Sequence, residues 1–239
     1  MGRPLIGPDL TRRRLEAELM DDPGLEPVRH VRALEALTIV NLLSGTAGRV
    51  WRELLRAGLA PGRPVRVLDL ACGGGDVAVA LARRAGRSGL PLEVHGCDRS
   101  PVALEHARRS ALRAGVEVRF FELDVLASPL PGGYDLLCSS LFLHHLTGPQ
   151  AVALLAAMAR AADALFVQDL RRTRLGWALA WGTLRTFARS EVARVDGLRS
   201  VAGAFSLDEA DAMAVEAGLA GAVVTRCWPQ RFGLSWRRR

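Results

Sequence analysis

The stretch VLDLACGGGD, Val67 to Asp76, decides the fold. An apolar run of strand length carries a single acid, Asp69, then breaks into Gly73, Gly74 and Gly75 before a segment with helical spacing. Glycines between a buried strand and a helix let the backbone turn sharply and come close to a ligand, with no Cβ in the way. Outward from this turn the period keeps switching. Short β-rich runs at Val65–Leu70, Leu92–Cys97, Glu117–Leu123, Tyr134–Ser139 and Ala164–Asp169 alternate with helical spacing over 75–86, 101–114 and 149–162. Ser100 and Pro101 give the second of these helices an N-cap and a first-turn proline. Such alternation predicts βαβ units and a parallel sheet. After 171–205, an Arg- and Trp-bearing segment of one or two helices, come a helix at 207–217, a stop at Gly218 and strands at Ala222–Trp228 and Phe232–Trp236. The expected fold is α/β, a doubly wound, Rossmann-like, seven-stranded and mostly parallel sheet.

Residues 1–60 read differently. Leu15 and Leu19, then Val31, Leu34, Leu37, Val40 and Leu43, then Val50, Leu54 and Leu55 recur at three and four, broken by Asp21-Asp22-Pro23-Gly24 and by Ser44-Gly45. This predicts an N-terminal helical cap that ends at the turn Ala60-Pro61-Gly62. Over the 239 residues the net charge is +7, and every basic residue is arginine, so the charge reads as a residue bias more than as a design for polyanions. No helix-turn-helix, zinc or aromatic-interleaved RNA motif supports the alternative of a basic nucleic-acid binder. Cys72, Cys97, Cys138 and Cys227 lie far apart without a CxxC pair, which reads as reduced thiols. No apolar run reaches a membrane span, and Pro4, Pro8 and Asp9 interrupt any signal-peptide core, so a cytoplasmic protein is expected.

Two cofactor classes compete for the glycine turn. Gly73-x-Gly75-x-x-Ala78 matches the dinucleotide fingerprint, and Asp98 stands twenty residues beyond Ala78, where a ribose-binding acid belongs. A nicotinamide-dependent oxidoreductase is therefore the rival enzyme class. Asp76 opposes it, because a carboxylate in the first helical turn would face an anionic pyrophosphate. A phosphate-free, cationic cofactor meets no such repulsion. Asp124, after the third strand, adds another acid at the carboxyl edge, where open α/β sheets bind ligands.

At these residues the chain resembles the class I S-adenosylmethionine-dependent methyltransferases, over roughly residues 61–170. The family's acid-x-G-x-G-x-G loop is matched by Asp69-Leu70-Ala71-Cys72-Gly73-Gly74-Gly75. Ala71 replaces the first glycine, a departure shared with the DVACGTGD loop of quinone C-methyltransferases. The resemblance implies that Asp69, Ala71, Cys72, Gly73 and Gly75 hold the methionine part of S-adenosyl-L-methionine, that Asp98 and Arg99 flank the ribose, and that Asp124 and Val125 take the adenine. It places Ser139, in SSLFLHHL, beside the methionine and the acceptor, and it implies an antiparallel last strand pair. Residues 61–239 would form the methyltransferase domain, with an acceptor-side insertion at 171–205.

His144 and His145 follow the fourth strand, and either can serve as general base on a phenol or enol. His30 and Asn41 sit where the helical cap can cover an acceptor. Trp177, Trp181 and Phe187, flanked by Arg171, Arg172 and Arg174, read as core packing beside a solvated basic face, or as a lid or membrane-surface contact over 171–187. Ser139-Ser140-Leu141-Phe142 is not the N/D-P-P-aromatic motif of amino-methylating DNA enzymes, which leaves a small aromatic or lipid-like phenol or quinone as the expected acceptor. No His, Cys and acid cluster shows ligand spacing, so no metal is expected.

Overall fold

The computed structural model describes residues 9–22, 24–57, 63–187 and 190–238, with side chains not described over 184–187. Pro4, Pro8, Pro23, the turn Ala60-Pro61-Gly62, the tail residue Arg239 and the Phe187 ring lie outside the described residues. The seven strands are β1 (Val65–Leu70), β2 (Leu92–Asp98), β3 (Arg119–Glu122), β4 (Tyr134–Ser140), β5 (Ala162–Leu170), β6 (Val223–Cys227) and β7 (Arg231–Arg237), ordered 3-2-1-4-5-7-6. Pairing is parallel from β3 through β5, and β7 runs antiparallel to both β5 and β6. The strand order reverses between β1 and β4, so the carboxyl ends of these strands open a crevice.

Helices cover both faces, which is why β1, β4 and β5 are almost continuously apolar. On one face Leu68, Leu70, Leu137, Leu165 and Val167 pack with residues of α5 (Gly148–Ala161) and α8 (Leu207–Glu216). On the other, Val65, Val67, Leu136 and Phe166 meet α2 (Thr46–Ala57), α3 (Asp76–Ser88) and α4 (Pro101–Ala114). Caps fix where helices start: Ser100 Oγ accepts from the Ala103 N–H, and Thr147 with Gln150, like Ser206 with Glu209, forms a reciprocal capping box.

The amino-terminal sixty residues divide. From α2, Val50, Trp51 and Leu54 are buried in the sheet-flanking layer. In contrast, α1 (Pro27–Leu43) reaches over the carboxyl edge, while Leu42 and Leu43 at its end stay exposed. The helical spacing seen at Leu15 and Leu19 does not produce a helix; residues 9–18 form no regular element, and a 3-10 turn follows at Leu19–Asp21. Tertiary partners outweigh local propensity there. The Arg14 N–H donates to Ala202 O at 3.0 Å, and the Leu19 and Met20 N–H groups donate to the Asp196 carboxylate at 2.8 and 2.9 Å. Both acceptors belong to α7 (Glu191–Gly203), which with α6 (Arg174–Phe187) makes up the 171–205 segment.

Candidate functional site

A cavity of about 730 Å³ opens at the carboxyl edge. Its floor is the turn after β1, with Ala71, Cys72, Gly73, Gly74 and Asp76 on the wall. Asp98 closes β2 and binds this turn directly: Oδ2 accepts from the Gly73 N–H at 2.8 Å and Oδ1 from the Ser100 N–H at 2.9 Å. A carboxylate has about four acceptor directions, so two remain for ligand hydroxyls. Arg99, Asp124 and Val125 also line the cavity. Asp124 Oδ1 accepts from the Leu126 N–H at 2.9 Å, which shapes the loop after β3. Opposite lie Met20, Asp21, His30, Leu34 and Asn41 from the amino-terminal arm and α1, with Ser140, Phe142 and His145 from the end of β4.

Glycine is required in this turn for two different reasons. Gly73 and Gly75 have φ of +52° and +72°. At Gly75 a Cβ would also stand 2.8 Å from Ala107 and from the Phe120 ring, so packing alone excludes a side chain there. Gly75 therefore shapes the turn without reaching the cavity wall. Ala71, in the family's first glycine position, has φ +50° and bears the left-handed conformation with a Cβ.

Of the other expected cofactor residues, Asp69 and Ser139 stand behind the wall rather than on it. Ser139 Oγ donates to Leu70 O at 3.0 Å, fastening β4 to β1, and Ser140 is the serine at the cavity. Asp69, 2% exposed, lies beneath the turn and accepts a weak contact from Cys138 Sγ at 3.7 Å. Burial, with Asp76 and Asp98 nearby, pushes its carboxyl up to about 8, so it holds a proton at neutral pH. Burial likewise raises Asp76 to about 6, against a hydrogen bond from Asn41. The Cys72 thiol stands well above its ordinary value, first through burial and then through Asp69, and is no nucleophile at neutral pH.

The histidine pair separates as well. His145 is on the cavity wall; His144, 4% exposed, is not. His144 Nδ1 lies 2.7 Å from Asp169 Oδ1, its backbone N–H donates to Asp169 Oδ2 at 3.0 Å, and its Nε2 faces Glu18 at 3.5 Å. Burial works against its charge, but Asp169 and Glu18 outweigh it and hold the imidazolium up to about 10. His145 Nδ1 faces Asp21 at 3.1 Å, and its Nε2 lies 3.8 Å from the other oxygen of Glu18. Among the described residues, Glu18, His144 and His145 bring ligand atoms within 4.8 Å of one another, a grouping that has no ligand spacing in the sequence. Sequence spacing could not reveal it, because the amino-terminal arm brings Glu18 from the far end of the chain. Glu18 and Asp21 carried no signal of their own. Asp169 did, as an acid closing a strand at the carboxyl edge like Asp98.

Residues 67–163 match the family model described as "Methyltransferase domain". Demethylmenaquinone methyltransferase of Thermus thermophilus is 45% identical over 92 residues, 38% of this chain and 40% of the relative. Ubiquinone biosynthesis O-methyltransferase of Xanthomonas euvesicatoria is 33% identical over 118 residues, 48% and 47% of the two chains. The chain thus matches less than half the length of these curated relatives. Among solved structures, an O-methyltransferase from neocarzinostatin biosynthesis, in complex with S-adenosyl-L-homocysteine and 1,4-dihydroxy-2-naphthoic acid, superposes with a TM-score of 0.66 at 20% identity, covering 92% of this chain and 62% of that one. The plantazolicin methyltransferase, in complex with S-adenosylhomocysteine, gives 0.63 at 13% identity over 92% of each chain. These structural likenesses concern the fold.

Proposed function

Taking residues 67–163 as a methyltransferase domain of the class I, S-adenosylmethionine-dependent kind, we propose that the protein transfers a methyl group from S-adenosyl-L-methionine to a small aromatic or lipid-like phenol or quinone. One observation carries the cofactor reading. Asp98 is bonded to the glycine turn, and both open on the same cavity as Asp124. The residues fit the cofactor: Ala71, Cys72 and Gly73 face its methionine part, Asp98 and Arg99 its ribose, Asp124 and Val125 its adenine. Asp69, Gly75 and Ser139 support these from behind. Asp76, in the first turn of α3 and on the cavity wall, suits a cationic sulfonium better than a pyrophosphate, which disfavours a nicotinamide dinucleotide.

The bound cofactor supplies an already activated methyl group. The chain's part is to hold donor and acceptor in line and to keep water out. Met20, Leu34, Leu37 and Phe142 give the other half of the cavity an apolar wall suited to an aromatic ring. His145 is the residue of the pair at which an acceptor oxygen would be activated, and His144 positions it. The quinone-directed names of the sequence relatives, and the naphthoic acid in a structure of the same fold, support an aromatic acceptor.

Among the described residues no helix is long and apolar enough to cross a membrane. We place the protein in the cytoplasm, with exposed Leu175, Leu179 and Trp181 of α6 as its contact with a membrane surface if the acceptor is lipid-like. Calorimetry with S-adenosylhomocysteine and with NAD, followed by methyl transfer from labelled cofactor to a panel of phenols and quinols, tests the reading. Tighter binding of NAD overturns it.

A further inference from the structure

We propose that Glu18, His144 and His145 form a binding site for a divalent transition-metal cation, with zinc as the matching ion. Three observations carry this. First, Asp169 and Asp21 each face an Nδ1, at 2.7 and 3.1 Å. That fixes the orientation of both rings and turns both Nε2 atoms toward the Glu18 carboxylate. A carboxylate behind each imidazole is the arrangement that orients metal-binding histidines and raises their basicity.

Second, the separations suit a shared ion better than direct bonding. Nε2 to oxygen is 3.5 Å for His144 and 3.8 Å for His145, longer than an ordinary N–H···O hydrogen bond of about 2.7–3.2 Å. Two ligands each about 2.0–2.1 Å from a tetrahedral zinc stand roughly 3.4 Å apart. A single ion at this spacing reaches both Nε2 atoms and the carboxylate together.

Third, the cluster is enclosed on the protein side and open on the other. Glu18 and His144 are buried, while His145 lies on the cavity wall and offers a path of entry. Two imidazoles and one carboxylate leave a fourth position for water or a substrate oxygen, as in catalytic zinc sites. If the methyltransferase reading holds, that position faces the acceptor, and the cation would polarise a phenol oxygen. This consequence rests on the proposed function; the ion site does not.

The test is titration of the purified metal-free protein with zinc alone, and with cobalt(II) as a spectroscopic stand-in. One ion per chain is expected, with the visible bands of a four-coordinate nitrogen and oxygen set and no thiolate charge-transfer band. Glu18→Gln and His145→Ala should each weaken zinc binding at least about 100-fold, and Asp21→Ala, at a partly exposed position, by about 10-fold or more. His144→Gln is not needed should it fail to fold. Absence of stoichiometric binding, or binding unchanged in Glu18→Gln and His145→Ala, overturns the proposal. S-adenosylhomocysteine affinity is measured in parallel: zinc binding without it would sink the methyltransferase reading alone, and the reverse would sink the metal site alone.

Discussion

The Asp98 carboxylate accepts the backbone N–H of Gly73 at 2.8 Å, so the acid that ends β2 also holds the turn that follows β1. Removing it should have two effects at once. Asp98→Ala deletes charge-assisted hydrogen bonds worth about 1.5–3 kcal/mol each, which corresponds to about 10–150-fold in S-adenosylhomocysteine affinity per lost ligand bond. It also leaves the Gly73 and Ser100 N–H groups without their acceptor, so thermal stability should fall. Calorimetry together with a melting curve separates the two. Unchanged affinity in a folded variant removes Asp98 from the cofactor site.

Asp69 supplies a pH prediction. Its folded value, about 8, lies above the ordinary 3.8, so between these limits the folded state keeps a proton that the unfolded chain has lost. The unfolded state binds fewer protons there, and stability must fall as pH rises, by at most about 1.4 kcal/mol per pH unit. Asp69→Asn cannot ionise and should escape this loss. Urea unfolding at pH 5, 7 and 8 should show the variant gaining steadily on the parent as pH rises. A constant difference would mean that Asp69 is charged in the folded protein.

Much of this was readable beforehand, for an identifiable reason. The seven strands and the helices around them announce themselves because a sheet covered on both faces needs unbroken apolar runs, and Gly73, Asp98 and Asp124 stand where those runs stop. What lies at long range was not readable. Leu15 and Leu19 have helical spacing, yet Asp196 holds the following backbone in a 3-10 turn. Ser139 and Ser140 are adjacent serines, and only the pleat decides which one bonds to Leu70 and which faces the cavity.

That arm gives a third test. Asp196 is buried and accepts the N–H groups of both Leu19 and Met20, next to Glu18. Asp196→Ala should release residues 9–22 while leaving the glycine turn intact. Hydrogen exchange should quicken at Leu19 and Met20, and acceptor turnover should drop, with S-adenosylhomocysteine affinity held within about threefold, under 1 kcal/mol. Protection unchanged at Leu19 would show that other contacts fasten the arm.

Ala71 is a place where stability can be gained. An L-residue in the left-handed region costs about 1–2 kcal/mol, and glycine gives back about 0.5–1 kcal/mol of that through its greater unfolded freedom. With φ at +50°, Ala71→Gly should therefore be neutral to about 1.5 kcal/mol stabilising. Denaturant unfolding reads the sign. A loss of stability would show that the Ala71 methyl packs in a way that outweighs its backbone strain.

The two histidines are adjacent in sequence but face different surroundings, and this sets the final expectation. His145 lines the cavity, so His145→Ala should lower kcat at least about 100-fold toward a phenolic acceptor while S-adenosylhomocysteine affinity stays within about tenfold. His144 is buried between Asp169 and Glu18, and His144→Ala would leave two carboxylates facing an emptied site. Its cost should appear first as lost stability, of the order of 3–5 kcal/mol for breaking a buried ionic cluster, and only then as lost turnover. Activity and unfolding measured side by side on both variants distinguish the roles. If His144→Ala folds as well as the parent and His145→Ala keeps full turnover, the acceptor is activated elsewhere, and methyl transfer rests on alignment of donor and acceptor alone.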